Sequence, residues 1–336
     1  MKILITGGLG FIGTNFIKYW VANHPSDQIV NLDKVTYAAN PTNLDDLKNN
    51  SNYTFVKGDI LDNELLDKIV PGTDLIIHFA AESHVDRSID DPTLFVKTNV
   101  LGTYTLLNSA KKHGNIRFHH ISTDEVFGSI PFGSDAQFSE TTPYDPTSPY
   151  SASKASSDHF VRAFGKTFNL PITISNCSNN YGPYQHPEKM IPRMITNLLD
   201  NKKVPVYGKG ENFRDWLFVT DHCTAIDLIV NKGKIGETYC IGGLQDPTRN
   251  IDLVHYVISL MGKGEDQLEF VTDRPAHDNY SINWQKIASE LGWKPQESLQ
   301  TGLQKTIDWY TQNEAWWRAS KAEAEQFYIK LNGYKK

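Results

Sequence analysis

The sequence is poor in cysteine. Cys177, Cys223 and Cys240 are the only 3 in 336 residues. They are scattered and odd in number, and no Cys-x-x-Cys or Cys/His cluster accompanies them. A disulfide framework and a zinc-type site are therefore excluded as organising features, and buried thiols in a reducing compartment are expected. Basic charge is also lacking. A net charge of -6 excludes a general nucleic-acid binder, which would carry a basic excess. No apolar run is long enough for a membrane span, and there is no internal repeat or low-complexity linker. The strand-like run Lys2 to Thr6 leaves no room for a signal peptide, so a cytoplasmic protein is expected. His84, His119, His120 and His277 have no mutual spacing that suggests a metal.

What is present is a rhythm. Lys2 to Thr6 reads as a buried strand, followed by a glycine-rich turn and a helix to about Asn23. Further strands are expected at Gln28 to Leu32, Tyr53 to Lys57, Leu75 to Phe79, Arg117 to Ile121 and Ile172 to Asn176. Helices are expected at Pro92 to Lys112 and Pro149 to Phe168. Strands and helices alternating at this spacing imply an α/β fold with a Rossmann-like, doubly wound parallel sheet. After Asn179 the rhythm loosens into a smaller C-terminal α/β lobe. Helices are expected there near 188–201, 220–230, 251–261, 284–291 and 299–310, with strands near 204–207, 216–219 and 238–241. The expected division is 1–178 for a cofactor domain and 179–336 for a substrate-binding lobe, with some chain returning to the sheet. The tail from Asn313 to Lys336 reads as a docked helix.

Gly7, Gly10 and Gly13 follow the first strand and open a helix. Glycines there allow a tight turn and close approach of a pyrophosphate to the helix N-terminus. The spacing is Gly-x-x-Gly-x-x-Gly rather than Gly-x-Gly-x-x-Gly, and alone it reads equally as a structural turn. Asp33 strengthens it, because a carboxylate ending the next strand binds ribose hydroxyls. It would repel a 2′-phosphate, which favours NAD over NADP, although Lys34 keeps that exclusion from being absolute. Asp59 ends the third strand and either reaches the adenine or is a solvated loop residue. Ala80-Ala81 ends the fourth strand with side chains small enough for a cofactor to pass.

Two further stretches carry chemistry. Ser122-Thr123-Asp124-Glu125 places adjacent carboxylates behind a hydroxyl at a strand end. Tyr150-Ser151-Ala152-Ser153-Lys154 sets a phenol and an ammonium one helical turn apart. The ammonium is expected to favour the phenolate, making Tyr150 a base well below its free pKa of roughly 10. Taken singly, the carboxylates read as solvated helix-capping groups and the Tyr/Lys pair as chance. Together, beside a dinucleotide turn, they suggest oxidation coupled to a second proton transfer. Arg214 and Lys189 are candidate pyrophosphate partners.

These residues together resemble the extended short-chain dehydrogenase/reductase superfamily, through Gly7 to Gly13, Asp59-Ile60, His78 to Ala81 and Tyr150-x-x-x-Lys154. More specific stretches resemble the dTDP-glucose 4,6-dehydratase family: Asp33 to Ala38, Ala81 to Ile89, His119 to Val126, Asn176 to Tyr184, Pro187 to Lys189 and Arg214 to Trp216. The resemblance implies a lyase that converts dTDP-glucose to dTDP-4-keto-6-deoxyglucose with bound NAD, and a homodimer. It implies catalytic roles for Thr123, Asp124, Glu125, Tyr150 and Lys154. Cofactor contacts are implied at Gly7, Gly10, Phe11, Ile12, Gly13, Asp33, Lys34, Thr36, Asp59, Ile60, Ala80, Ala81, Ser83, Thr98, Tyr150, Lys154 and Asn180. Contacts to the sugar nucleotide are implied at Ser83, His84, Thr123, Asp124, Glu125, Asn179, Lys189, Met190, Pro205, Val206, Tyr207, Arg214, Asn250, Arg274 and His277. Gln185-His186, Cys240 and the register before Asn250 depart from the family pattern. An epimerase or a dehydratase for another nucleotide sugar is the nearest alternative. A non-enzymatic NAD sensor is the more distant one, and such proteins typically lose the Tyr/Lys pair.

Overall fold

In the computed structural model of the chain, structure is described for residues 1–243, 246–273, 275 and 277–333. The first run shows why this sequence makes a covered parallel sheet. In β1 (Lys2–Thr6) every residue from Ile3 onward is buried. Leu4 packs with Leu106, Leu107, Val161 and Phe164, while Ile3 and Ile5 pack with Phe16, Ile17 and Trp20 on the opposite face. Alternate residues thus serve opposite layers, and both layers are apolar.

The other strands of the first half are β2 (Gln28–Asp33), β3 (Tyr53–Lys57), β4 (Leu75–His78), β5 (Arg117–Thr123) and β6 (Ile172–Cys177). The shorter strands that follow are β7 (Asn179–Tyr181), β8 (Val204–Tyr207), β9 (Phe213–Arg214), β10 (Trp216–Phe218), β11 (Thr238–Ile241), β12 (Thr248–Arg249) and β13 (Leu268–Val271). Among the described residues the central sheet has 7 strands, ordered β3-β2-β1-β4-β5-β6-β11. All its pairings are parallel. The order reverses between β1 and β4, and crevices at the carboxyl ends of strands beside such a switch point are where ligands bind in open α/β sheets.

The helices are α1 (Phe11–Asn23), α2 (Asn63–Ile69), α3 (Val85–Asp90), α4 (Pro92–Phe95), α5 (Thr103–Lys112), α6 (Pro149–Phe168), α7 (Met190–Leu199), α8 (Val219–Lys232), α9 (Asn250–Leu260), α10 (Gln285–Leu291), α11 (Leu299–Gln312) and α12 (Glu314–Gly333). The expected single helix from Pro92 to Lys112 is instead α4, a wider π-helical stretch at Val96–Gly102, and α5. The cause is local. The Asn99 carbonyl accepts from the Thr103 and Ser157 hydroxyls, both at 2.6 Å. The Asn99 amide in turn pins the backbone of Glu82 at 2.8 and 2.9 Å. Side chains compete for the ladder here, and π-bulges of this kind gather at functional sites.

The second half builds its own core, in which Ile191, Ile195, Leu198, Val254, Val257, Leu303 and Trp317 meet. Elements outside it include β11, α8 and α10, which pack together through Tyr239, Ile229 and Ile287. Strand β11 joins the edge of the central sheet, and Cys223 and Ile226 of α8 pack against Ile3 and Ile5. Helix α12 docks through Trp317, which is 1% exposed. All three cysteines are buried and free. Among the described residues no helix is long and apolar enough to cross a membrane, and no cluster of side chains could hold a metal ion.

Candidate active site

A cleft of about 1850 Å³ opens at the carboxyl ends of the central strands. Its floor is the glycine turn. Gly7 has φ +74°, and a Cβ there would stand 2.7 Å from Ala80 Cα; a Cβ on Gly13 would stand 2.4 Å from the Gly7 carbonyl. The turn and the strand behind it can approach this closely only as glycine. Helix α1 starts at Gly10 with no side-chain cap and no acidic residue in its first turn. Its leading N–H groups therefore face the cleft as an anion cradle.

Asp33 sits beside that cradle, accepting from the backbone N–H of Leu9 at 2.9 Å and of Val35 at 2.8 Å. Burial pushes its carboxyl up, and those two donors oppose the rise. Lys34 pairs with Asp59 at 2.8 Å, so its charge is already matched by a carboxylate, and Asp59 is held at the cleft rather than in a solvated loop. Every residue expected at the cofactor, from Gly7 to Asn180, lines this cleft. An uncapped helix terminus at the glycine turn and a carboxylate at the second strand fit a dinucleotide.

A second cleft of about 1110 Å³ lies between α7, β8 and the loops around β9 and α9. It is lined by Ser83, His84, Asn179, Lys189, Met190, Pro205, Val206, Tyr207, Arg214, Asn250 and His277. Arg274 falls outside the described residues, as does Ala276. Lys189 Nζ donates to the Ser83 carbonyl at 2.6 Å. Arg214 donates to the Phe213 carbonyl at 2.9 Å and to the Asp278 carbonyl, with its guanidinium 4.5 Å from the centroid of the Tyr280 ring. Asn179 Oδ1 and Asn250 Oδ1 are buried with no hydrogen-bond partner among the described residues. Unmet buried acceptors cost about 1–3 kcal/mol each, so they favour a ligand that brings donors.

The two clefts meet, sharing Ser83, Glu125, Asn179, Glu188 and Lys189. Thr123 closes β5, and Asp124–Phe127 form a 3-10 turn after it. Thr123 Oγ1 caps that turn, accepting from the Glu125 N–H at 3.3 Å. The cap aims neighbouring carboxylates differently. Glu125 is partly exposed and lines both clefts, whereas Asp124 is 1% exposed and lines neither. Burial first, then the carboxylates of Glu125 and Asp215, push the Asp124 carboxyl well up, against the pull of Arg214. Its surroundings therefore favour the protonated form over the carboxylate.

Helix α6 is set by a reciprocal cap, with Ser148 Oγ accepting from the Ser151 N–H at 3.0 Å and Ser151 Oγ accepting from the Ser148 N–H at 2.9 Å. Pro149 follows at its first position, which puts Tyr150 and Lys154 on the cleft. One expectation is overturned. The Tyr150 phenol is pushed well up rather than down, first by burial and then by the carboxylate of Glu125. Lys154 does not offset this. Its ammonium donates to the Ile121 carbonyl at 2.8 Å and lies 3.4 Å from His120 Nε2, and no hydrogen bond joins it to the phenol among the described residues.

Some lining residues carried no signal of their own in the sequence. Glu188 accepts from Arg87 Nε at 2.9 Å and from the Tyr37 hydroxyl at 3.0 Å, and lines both clefts. Its motif was visible beside Lys189. Tyr280 stands three residues past His277, and Tyr328 comes from the tail helix; neither had a spacing that marked it.

Sequence comparison accords with this geometry. A family model described as GDP-mannose 4,6 dehydratase matches residues 4–306. The dTDP-glucose 4,6-dehydratase of Salmonella typhimurium is 46% identical, with 99% of each chain covered. The chain belongs to the dTDP-glucose 4,6-dehydratase family. A crystal structure of the family's Streptomyces venezuelae member, with NAD and TYD bound, superposes with a TM-score of 0.92 at 45% identity, covering 95% of this chain and 100% of that one. The Bacillus anthracis member in complex with NAD gives a TM-score of 0.89 at 46% identity, covering 95% and 99%.

Proposed function

We propose that the chain converts dTDP-glucose to dTDP-4-keto-6-deoxyglucose and water, with NAD as a cofactor regenerated in each cycle. The observation that carries this is Glu125 at the junction of the two clefts with Asp124 buried next to it, neighbours in sequence but unequal in burial. Water loss across C5–C6 of a hexose is hard because the C5 proton is not acidic. A ketone at C4 makes it so. When bound, NAD supplies a reversible hydride acceptor for C4 and donor for C6.

The chain's own residues move the protons. Tyr150 must give up its own proton before it can act as the base; its phenolate, with the Lys154 ammonium as the positive charge beside it in the cleft, then takes the C4 hydroxyl proton and becomes the phenol again. Thr123, which lines the cofactor cleft, donates to the C4 oxygen. Glu125 removes the C5 proton from its position at the cleft junction. Asp124, whose carboxyl burial and neighbouring carboxylates push toward the acid form, is the acid for the departing C6 hydroxyl. Its carboxyl must turn toward the substrate to do so. Lys189 and Arg214 meet the diphosphate, and Asn179 and Asn250 offer acceptors to the nucleotide and sugar. In this reading residues 1–178 hold the cofactor and the reacting groups, and residues 179–336 hold most of the nucleotide.

A homodimer is part of the proposal. Val96, Leu101, Tyr104, Phe160 and Phe168 are exposed on the helical run 96–112 and on α6, an apolar face that a second copy would cover by two-fold symmetry. A cytoplasmic location is likewise proposed, supported by three free cysteines. The test is to offer thymidine, uridine and guanosine diphosphate sugars side by side to the NAD-loaded protein and follow ketosugar absorbance in alkali. Product from dTDP-glucose in clear excess is expected. Equal or greater turnover of another nucleotide sugar, or none at all by a folded sample, would overturn the reading.

A further inference from the structure

Behind Tyr150 and Lys154 lies a buried polar line that none of these steps uses. His120 Nε2 is 3.4 Å from Lys154 Nζ and 3.2 Å from Asp158 Oδ1. Asp158 stands one turn beyond Lys154 on α6, and both it and His120 are fully buried. Asp158 Oδ2 accepts from Tyr144 at 2.7 Å, from Ser122 at 2.9 Å and from Asn176 at 3.2 Å. Oδ1 accepts no hydrogen bond among the described residues and lies against the imidazole. A carboxylate with three donors on one oxygen and a bare second oxygen is a fixed negative charge in a dry core, aligned with the lysine.

We propose that Asp158, lying beyond His120 from the ammonium, is a positioning residue for Lys154: its buried charge is the counter-ion that keeps the ammonium charged at the cofactor cleft. This rests on the reading of Lys154 as part of the reacting group. The surroundings favour it. Burial pulls Lys154 down to about 8, and Asp158 and then Cys177 oppose that fall. Burial would raise Asp158, but His120 and Lys154 together hold it below its ordinary value. The other groups facing the ammonium are neutral near pH 7. His78 from β4 and His120 from β5 are held down chiefly by burial, the latter at about 4. Cys177 from β6 and Tyr150 from α6 itself are held up by burial. Arg162 acts on His120 from farther along α6. Asp158 is thus the charged partner that Lys154 has.

The test is Asp158→Asn in the NAD-loaded enzyme, with kcat against pH and NAD affinity against pH by tryptophan quenching. Loss of the counter-ion should move the alkaline fall of both profiles down by about one pH unit, a tenfold change in proton affinity. Tyr144→Phe removes a donor but no charge, and should leave both where they are. If Asp158→Asn does not fold, Asp158→Ser, which also removes the charge, takes its place, with a shift in the same direction. An unmoved alkaline limb in the folded variant overturns the proposal. Lys154→Met keeps the two readings apart. If it loses activity while Asp158→Asn leaves the limb in place, only this inference fails; if it keeps full activity, the reading of Lys154 itself fails.

Discussion

Replacing Asp124 by Asn separates acid chemistry from binding. Asparagine keeps the shape of the protonated carboxyl but cannot give up a proton. Asp124 is 1% exposed and lines neither cleft, so KM for dTDP-glucose should stay within about threefold. Its one side-chain hydrogen bond among the described residues, from Thr123, is long at 3.4 Å. Burial and the Glu125 carboxylate already push its carboxyl toward the neutral form, so a neutral amide suits the site. Loss of stability should therefore stay near 1 kcal/mol. A general acid contributes about 10²–10⁴ in rate, equivalent to about 3–5 kcal/mol of barrier. The expected result is a fall in kcat of that size with an unchanged fold by circular dichroism. Steady-state kinetics with alkaline detection of the ketosugar reads both constants. A kcat within threefold of the parent, or a rise in KM that accounts for the whole loss, would refute the assignment.

Gly13→Val should abolish NAD retention, because a Cβ there lies 2.4 Å from the Gly7 carbonyl; cofactor released on denaturation measures it, and full occupancy would contradict the turn's role. Arg214→Lys loses a planar fork at the diphosphate, where a charge-assisted bond contributes about 1.5–3 kcal/mol, so KM should rise about 10- to 150-fold with kcat less affected. A change confined to kcat would place Arg214 elsewhere in the cycle. Acid should destabilise the fold between about pH 6.5 and 4. Burial holds His84 and His120 at about 4, so the unfolded chain binds more protons across that window and stability falls as pH drops. Each imidazole contributes up to about 1.4 kcal/mol per pH unit, while the raised carboxyls of Asp124 and Asp215 act in the opposite sense. The fall of the thermal midpoint from pH 7 to pH 5 should therefore be shallower in His84→Gln than in the parent, and an unchanged slope would count against a neutral buried imidazole.

The central sheet was legible because its strands are short apolar runs bounded by glycine, aspartate or alanine, and because helices follow at regular spacing. The glycine turn, Asp33 and the Thr123-Asp124-Glu125 run could be placed at strand ends for the same reason. Other features depend on tertiary geometry that no spacing carries. The π-helical stretch at Val96–Gly102 follows from the contacts of Asn99 with Glu82, 17 residues away, and with Ser157 across the helix pair. The upward push on the Tyr150 phenol could not be read from Tyr-x-x-x-Lys. Helical spacing sets the side chains one turn apart, but the ammonium turns to Ile121 and His120, and burial decides the phenol. The tail was legible as a helix; that it brings Tyr328 to the substrate cleft depends on where it docks.

The claim on which the rest stands is that one hydride leaves C4 and returns to C6 of the same sugar while water is lost between. Incubating dTDP-glucose carrying deuterium at C4, in ordinary water, and locating the label by mass spectrometry and NMR tests this directly. The account requires product lighter by one water, with the deuterium at C6 and no net reduced cofactor. Product without that label at C6, or accumulation of reduced cofactor without loss of water, would contradict it.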